Sequence, residues 1–131
     1  MDKKKLIDAL QADKEICVAI FFGSEAQKMA NPESDIDIAL LNNAWKKPSG
    51  IDLMQFQQNL TDLMQQQVDI VVLNDASPII AMQAIKNGIP LFIRNQKEYQ
   101  KFEITLITDY ADLKKMREPF EKNILKRRLH G

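Results

Sequence analysis

Two short segments near the start of the chain combine residue types that can hold a nucleotide and metal ions. Phe21-Phe22-Gly23-Ser24 ends an apolar run in a Gly-Ser turn, and Asp35-Ile36-Asp37 follows after ten intervening residues. Backbone N–H groups and a serine hydroxyl at such a turn favour a bound phosphate. Paired carboxylates favour divalent cations. The combination indicates phosphoryl-transfer chemistry.

The Gly-Ser turn is placed by the residues on either side of it. Ile16–Phe22 is entirely apolar. Because this run is too short for a comfortable helix and Gly23 bounds it, we predict a strand that is buried on both faces. Residues 25–30 are good helix formers, and Ser24 can cap them. Gly23 and Ser24 are therefore predicted to bind the phosphates of a nucleotide.

The Asp-x-Asp segment predicts a second strand, over residues 35–41, in which alternate side chains share a face. Asp35 and Asp37 would then lie about 6.6 Å apart along one face, within reach of cations roughly 3.5–4 Å apart. The same spacing is common in loops and calcium-binding segments, so it leaves that alternative open. The preceding strand and turn favour the catalytic interpretation.

A third carboxylate tests this interpretation, because a two-metal site usually needs one more acidic group. Asp69 supplies it. The β-branched residues of 68–73 predict a third strand, and a lone Asp near the start of a central strand is costly unless it is paired or metal-bound. The alternative is a partly exposed residue at the strand's end.

The pattern of Gly23-Ser24, Asp35-x-Asp37 and Asp69 resembles the minimal nucleotidyltransferases of the DNA polymerase beta superfamily, and most of all the MntA-like antitoxins of HEPN-MNT toxin-antitoxin modules. Residues 77–92 and 110–117 extend the resemblance over nearly the whole chain. It implies an α/β (α+β) nucleotidyltransferase fold, with a small mixed sheet flanked by helices. It also implies one domain, with a catalytic core over residues 1–95 and a helical segment over residues 96–131.

The resemblance also implies an activity: transfer of AMP from ATP onto a tyrosine hydroxyl of a partner HEPN ribonuclease toxin, which neutralises it within a hetero-oligomeric complex. Two Mg²⁺ ions are expected. Asp35 and Asp37 would ligate both ions, and Asp69 would ligate the catalytic ion and help deprotonate the acceptor. Gly23 and Ser24 would hold the β and γ phosphates.

One departure from the family's pattern lies after the Gly-Ser turn. Relatives usually carry a basic residue, an Ala and then Arg-Gly there, whereas this chain has Glu25-Ala26-Gln27-Lys28. Lys28 remains as the nearby phosphate partner, and a carboxylate beside a triphosphate is repulsive unless it points to solvent. Two alternatives follow: another group compensates, or the chain is a catalytically weak or inactive module that neutralises its partner by contact alone.

Composition limits the class of protein. The chain has 131 residues, enough for one domain, and its 18 basic and 18 acidic side chains give no field to attract nucleic acid. We find no transmembrane run and no signal-peptide core, so we expect no membrane partner and a cytoplasmic location. Cys17 lies inside the first predicted strand and is expected to be a core residue.

The remaining segments predict the elements around the site. Residues 3–14 and 51–66 have helical spacing. The loop over residues 42–50 carries Trp45 and leaves the end of the Asp-x-Asp strand, so we expect it near the active site, with Trp45 either closing a hydrophobic edge or stacking on a base. Pro119 predicts a break or kink after Glu118. Residues 122–128 form a basic tail.

Overall fold

The computed structural model describes residues 2–22, 35–43 and 50–130, and in the last range it describes side chains for residues 52–115. The order of elements is α1 (Lys3–Gln11), β1 (Ile16–Phe22), β2 (Ile36–Asn42), α2 (Gly50–Met64), β3 (Val68–Val72), α3 (Pro78–Asn87), β4 (Ile89–Ile93) and α4 (Gln96–His130).

The four strands form one mixed sheet in the order β3-β2-β1-β4. β1 is antiparallel to β2 and β4, whereas β2 and β3 are parallel. The connection between β2 and β3 contains α2, as parallel neighbours require a crossover. The predicted fold class, a small mixed sheet flanked by helices with a helical C-terminal segment, is confirmed.

The hydrophobic core lies on both faces of the sheet. α1 and α2 pack on one face, around a cluster whose buried members include Leu6, Leu10, Phe21, Ile36, Ile38, Leu40, Leu60, Met64 and Val68. α3 and α4 pack on the other, around Val18, Ile20, Ala39, Leu41, Leu73, Ala81, Ala84, Tyr99 and Leu106. Because β1 and β2 are central, their side chains are buried on both faces, and this explains the unbroken apolar sequence of β1.

Three helices begin at a side-chain cap. Asp2 accepts a hydrogen bond from Lys5 N in α1 (3.1 Å), and Ser77 accepts one from Ile80 N in α3 (3.3 Å). Asn95 Oδ1 accepts from the backbone N–H groups of Lys97 and Glu98 in the first turn of α4 (3.1 and 3.2 Å). Each cap satisfies N–H groups that have no partner within the helix.

Two helices end earlier than the sequence pattern predicts. α1 stops at Gln11 because Asp13 forms a turn, in which its side chain accepts a hydrogen bond from Glu15 N and its carbonyl accepts one from Ile16 N. α2 stops at Met64 because Gln65 adopts a left-handed backbone with φ of 58°, a conformation that ends a helix.

α4 runs from Gln96 to His130 as one helix. Of the two alternatives predicted after Glu118, the break is wrong and the kink stays a prediction. Pro119 removes one backbone donor, but the strong helix formers on both sides maintain the helical backbone. Within the residues that the structure describes, neither α4 nor any other helix is both long and apolar enough to span a membrane.

Arg94 ties the end of β4 to the connection between α1 and β1. Its guanidinium donates hydrogen bonds to the carbonyls of Gln11 (2.8 Å), Asp13 (3.1 Å) and Ile16 (3.0 Å). The guanidinium carbon also lies 5.6 Å from the centroid of the Phe92 ring, within the range of a cation–π contact. One side chain therefore binds carbonyls from the end of α1 to the start of β1 and joins them to the edge strand β4.

Gly88 allows α3 to approach β1 closely. A Cβ at this position would clash with the carbonyl oxygen of Ala84 and with Ile20 Cγ2, and would lie 3.1 Å from the carbonyl oxygen of Phe21. Main-chain atoms cannot move aside as a flexible side chain can. A residue without a side chain is thus required where α3 ends against β1.

Replacement of Arg94 by Met is expected to reduce the free energy of unfolding by about 1–2 kcal/mol, because carbonyl acceptors lose charge-assisted donors at a partly hydrated site. Urea denaturation measures this change. Lys97→Met, which removes a neighbouring exposed cation, is the control. Equal stability of the two variants would contradict the role given to Arg94.

Gly88→Ala is expected to destabilise the fold by about 1–3 kcal/mol, the usual cost of overpacking. The matched control is Gln83→Ala, which changes an exposed position on the same helix and should leave the denaturation midpoint nearly unchanged. If Gly88→Ala unfolds at the same urea concentration as the control, the close approach of α3 to β1 is not required.

Candidate active site

The sheet register brings the end of β1 and two carboxylates into one row. Phe22, the last residue of β1, lies opposite Asp37 in β2. Asp37 in turn lies opposite Asp69 in β3. Neighbouring strands are about 4.8 Å apart, and residues at paired positions point to the same face. Asp37 and Asp69 are therefore side-by-side neighbours at the end of the sheet where β1 ends at Phe22.

The burial of neighbouring residues identifies the face on which the two carboxylates lie. Ile36 and Ile38 belong to the cluster beneath α1 and α2, so Asp37 points to the opposite face. Ala39, two residues further along β2, belongs to the cluster beneath α3 and α4. Asp37 and Asp69 are both half-buried. The pair thus lies on the α3 and α4 face, at the sheet's end, and retains access to solvent.

Asp35 is placed differently from the sequence prediction. β2 begins at Ile36, so Asp35 is an exposed residue that lies just before the strand and not within it. In the ranges 2–22, 35–43 and 50–130, no group of three or more His, Cys, Asp or Glu side chains is arranged to hold a metal ion. The structure brings Asp37 and Asp69 together, but does not gather Asp35 with them into a metal-binding cluster.

The residues predicted to hold the phosphates, Gly23, Ser24 and Lys28, lie outside the described residues, as do Glu25 and Gln27. Their roles stay predictions. Phe22, the residue that precedes Gly23, lies directly opposite Asp37.

Asp69 has contacts that the sequence analysis did not predict. Gln67 Nε2 donates a hydrogen bond to Asp69 Oδ1 at 3.3 Å. The backbone N–H groups on either side of Asp69, those of Val68 and Ile70, donate to Thr61 and Gln57 of α2. The signal in the sequence was the spacing of Gln57 and Thr61, which are four positions apart on one side of a predicted helix. Such a spacing does not reveal which strand the two residues bind.

Two groups with shifted pKa values lie away from the carboxylate pair. Burial raises the pKa of the Cys17 thiol, and a hydrogen bond with the Asn95 backbone opposes that shift. Burial also raises the pKa of Tyr99, with a further contribution from the Glu103 carboxylate. Cys17 is near the start of β1, the opposite end from Phe22, and is a core residue as predicted.

The loop that carries Trp45 begins and ends at the far end of the sheet. Asn42, the last residue of β2, lies opposite Ile16 at the start of β1. Asp52, in the first turn of α2, lines a cavity of about 160 Å³ together with Asn42 and Ile16. Both described ends of the loop thus lie at the opposite end of the sheet from Phe22, because β2 is antiparallel to β1. Residues 44–49 lie outside the described residues, so the expectation that the loop borders the active site stays a prediction. Trp45 itself lies outside the described residues.

The far end of the sheet is closed by a side-chain amide. Asn74 Oδ1 accepts from Asn42 N at 2.9 Å, and Asn74 Nδ2 donates to Asn42 O at 3.1 Å, so the amide extends the sheet as another strand would. Adjoining cavities of about 210 and 320 Å³ share Asn74, Phe102 and Thr105 between this end of the sheet and α4. These cavities are separate from Asp37 and Asp69.

The comparisons with known proteins agree with this geometry. Residues 4–97 match the family described as polymerase beta, nucleotidyltransferase. The protein adenylyltransferase MntA of Shewanella oneidensis is 26% identical over 126 residues, which cover 95% of this chain and 88% of that protein. A crystal structure of a toxin-antitoxin with AMP-PNP has a TM-score of 0.81 at 25% identity, and the match covers 95% of this chain and 99% of that one.

A structure of tri-AMPylated Shewanella oneidensis HEPN toxin in complex with MNT antitoxin has a TM-score of 0.75 at 24% identity, over 94% of this chain and 95% of that one, and shows the same fold. The family match spans α1 to the start of α4 and includes Asp37 and Asp69. The chain therefore belongs to the polymerase beta nucleotidyltransferase family.

Proposed function

We propose that this chain is an antitoxin that transfers AMP from ATP onto a tyrosine hydroxyl of a cognate HEPN ribonuclease toxin. The observation that carries the proposal is the register that places Asp37 beside Asp69 at the end of β1, in a chain of the polymerase beta nucleotidyltransferase family. The similarity to MntA, a protein adenylyltransferase, favours AMP as the transferred group and a protein as its acceptor.

The oxygen-rich donor set fits Mg²⁺. Magnesium prefers carboxylate oxygens and is usually bound through one or two of them together with phosphates of the substrate. Asp37 and Asp69 are such a pair, and Asp35 is the third carboxylate that we assign to the site. When bound, Mg²⁺ would supply positive charge to the phosphates of ATP.

The chain's own residues have distinct roles in the proposed reaction. Asp69 accepts the proton of the tyrosine hydroxyl, and the phenolic oxygen then forms a bond to the α-phosphorus of ATP. The bond from the α-phosphorus to the oxygen that bridges it to the β-phosphate breaks, and pyrophosphate leaves in line. Asp37 lies next to Asp69 and keeps negative charge where the cations must bind.

The phosphate-binding half of the site is assigned to Gly23, Ser24 and Lys28. Backbone N–H groups at the Gly-Ser turn and the Ser24 hydroxyl hold the β and γ phosphates, and Lys28 contributes a positive charge. The location of Phe22 opposite Asp37 supports this assignment, since the turn follows Phe22 directly.

The acceptor is brought by a partner. The match with the toxin-antitoxin structure with AMP-PNP covers 99% of the matched chain of that structure. A chain of this size can therefore belong to such a complex. We assign the chain to the cytoplasm and treat it as one domain, with residues 1–95 as the catalytic core and residues 96–131 as the helical segment.

A second candidate function is a binding module that neutralises the toxin by contact alone. Glu25 and Gln27 favour it, since relatives usually carry basic residues there. Asp35, which is exposed and lies outside the strand that carries Asp37, favours it as well. The carboxylate pair favours the enzyme.

Asp37→Asn and Asp69→Asn are each expected to reduce AMP transfer by about 100-fold or more, because each removes a charge that holds the cations and, for Asp69, the general base. The assay combines the purified chain, labelled ATP, Mg²⁺ and the HEPN partner encoded beside it. Both variants should still bind the partner.

The control for these variants is Asp62→Asn, an exposed carboxylate on α2, which should transfer AMP at the unaltered rate. Full inhibition of the toxin without any labelling by the unaltered chain would support the binding module instead.

Lys28→Ala is expected to raise KM for ATP about tenfold with a smaller effect on kcat, because the lysine contributes binding energy to the triphosphate before and during the reaction. Lys4→Ala, on the exposed side of α1, is the matched control. An unchanged KM would assign the phosphate grip to other groups.

A further inference from the structure

Asp69 lies on the outermost strand of the described sheet, where one side of the backbone has no neighbouring strand. Leu73 N, which follows β3, donates to Leu40 O of β2 at 2.8 Å. Because backbone groups alternate in direction along a strand, the N–H groups of Val68 and Ile70 point away from β2. These are the residues immediately before and after Asp69. An outer strand held from one side alone is the least constrained part of a sheet.

α2 supplies acceptors to this outer side. Thr61 Oγ1 accepts a hydrogen bond from Val68 N at 3.0 Å, and Gln57 Oε1 accepts one from Ile70 N at 2.9 Å. Thr61 and Gln57 are four residues apart, about 6 Å along the helix axis. Val68 and Ile70 are two residues apart, about 6.6 Å along a strand. The two spacings match, so the helix holds β3 on both sides of Asp69.

We propose that Gln57 and Thr61 are positioning residues for Asp69. They bind the backbone of β3 from the outer side while β2 binds it from the inner side, so the Asp69 carboxylate stays beside Asp37. Val68 and Ile70 direct their side chains to the α1 and α2 face, opposite to Asp69, so neither Gln57 nor Thr61 contacts the reacting groups. This inference rests on the proposed function, in which Asp69 binds a cation and accepts a proton.

Displacement of the Asp69 carboxylate from Asp37 would reduce cation affinity and the reaction rate. Residues that hold a ligating or reacting group in place typically contribute 10- to 100-fold to metal affinity or activity, because small misplacements of a reacting group reduce the rate steeply. The direct contact of Gln67 with Asp69 is longer, at 3.3 Å, and a bond of that length constrains the carboxylate less. The α2 contacts, at 3.0 and 2.9 Å, therefore restrain this part of β3 more than the Gln67 contact does.

Paired variants test the proposal. Thr61→Val keeps the shape and removes the hydroxyl, whereas Thr61→Ser keeps the hydroxyl. Gln57→Met removes the acceptor at similar size. Gln58→Met is its control, because Gln58 is exposed and donates to Asp62 on the surface of α2. Hydrogen exchange in the full-length chain should become faster at the amides of Val68 and Ile70 in Thr61→Val and Gln57→Met. It should not change in Thr61→Ser or Gln58→Met.

The functional measurements use Mn²⁺ as the probe for the cation site. In the double variant of Thr61→Val and Gln57→Met, we expect Mn²⁺ affinity, measured by calorimetry, to fall about 10- to 100-fold. We expect kcat for AMP transfer to fall similarly, with KM for the HEPN partner unchanged. Thr61→Ser and Gln58→Met should match the unaltered chain in both measurements.

Two results would each overturn the proposal. The first is faster exchange at Val68 and Ile70 with unchanged Mn²⁺ affinity and kcat. The second is a loss of activity that appears only when the variant pairs with a second copy through β3. The latter would mean that α2 merely seals the edge. If the unaltered chain binds Mn²⁺ but transfers no AMP, the proposed function fails while the Mn²⁺ titration still decides the positioning role. Absence of Mn²⁺ binding in the unaltered chain would overturn both.

Discussion

The hydrogen-bonded register of β1, β2 and β3 is the constraint on which the rest of the structure depends. It sets Phe22 opposite Asp37 and Asp37 opposite Asp69. A shift of one residue between strands would turn a whole set of side chains to the other face. It would bury a carboxylate under the α1 and α2 cluster, where an unpaired charge is very costly. The two-sided apolar core and the location of the carboxylates therefore select the same register.

The elements around Phe22, Asp37 and Asp69 each restrain one of the strands that carry these residues. Gly88 lets α3 end close against β1, and Arg94 joins β4 to the turn that leads into β1. The side-chain amide of Asn74 closes the far end of β2 by binding the main chain of Asn42. α2 holds the outer side of β3. The strands that carry Asp37 and Asp69 are thus bound on every side that the described residues show, as the proposed function requires of residues that position reacting groups.

The restraint also explains why polar residues occur within α2. Gln57 and Thr61 satisfy two N–H groups that β2 cannot reach, and a partly buried donor without an acceptor destabilises a fold. An exposed strand edge of this kind is also a site for pairing with another chain. Covering it with helix side chains protects the edge and fixes the strand, so one pair of contacts serves both stability and the proposed chemistry.

Local patterns in the sequence were sufficient for the strand Ile16–Phe22, for the locations of α1 and α2 and for Asp37 and Asp69 as candidate residues, because apolar runs and alternation reflect local backbone geometry. The end of α1 at Gln11 depended on the turn at Asp13, which such patterns do not include. The unbroken course of α4 across Pro119 was not predicted, because the helix formers on both sides outweigh the effect of one proline. The location of Asn42, at the opposite end of the sheet from Phe22, followed from the antiparallel pairing of β1 and β2. The adjacency of Asp37 and Asp69, and the contacts of α2 with β3, were decided only by the tertiary structure, because pairing between distant segments is set by the packing of the whole core.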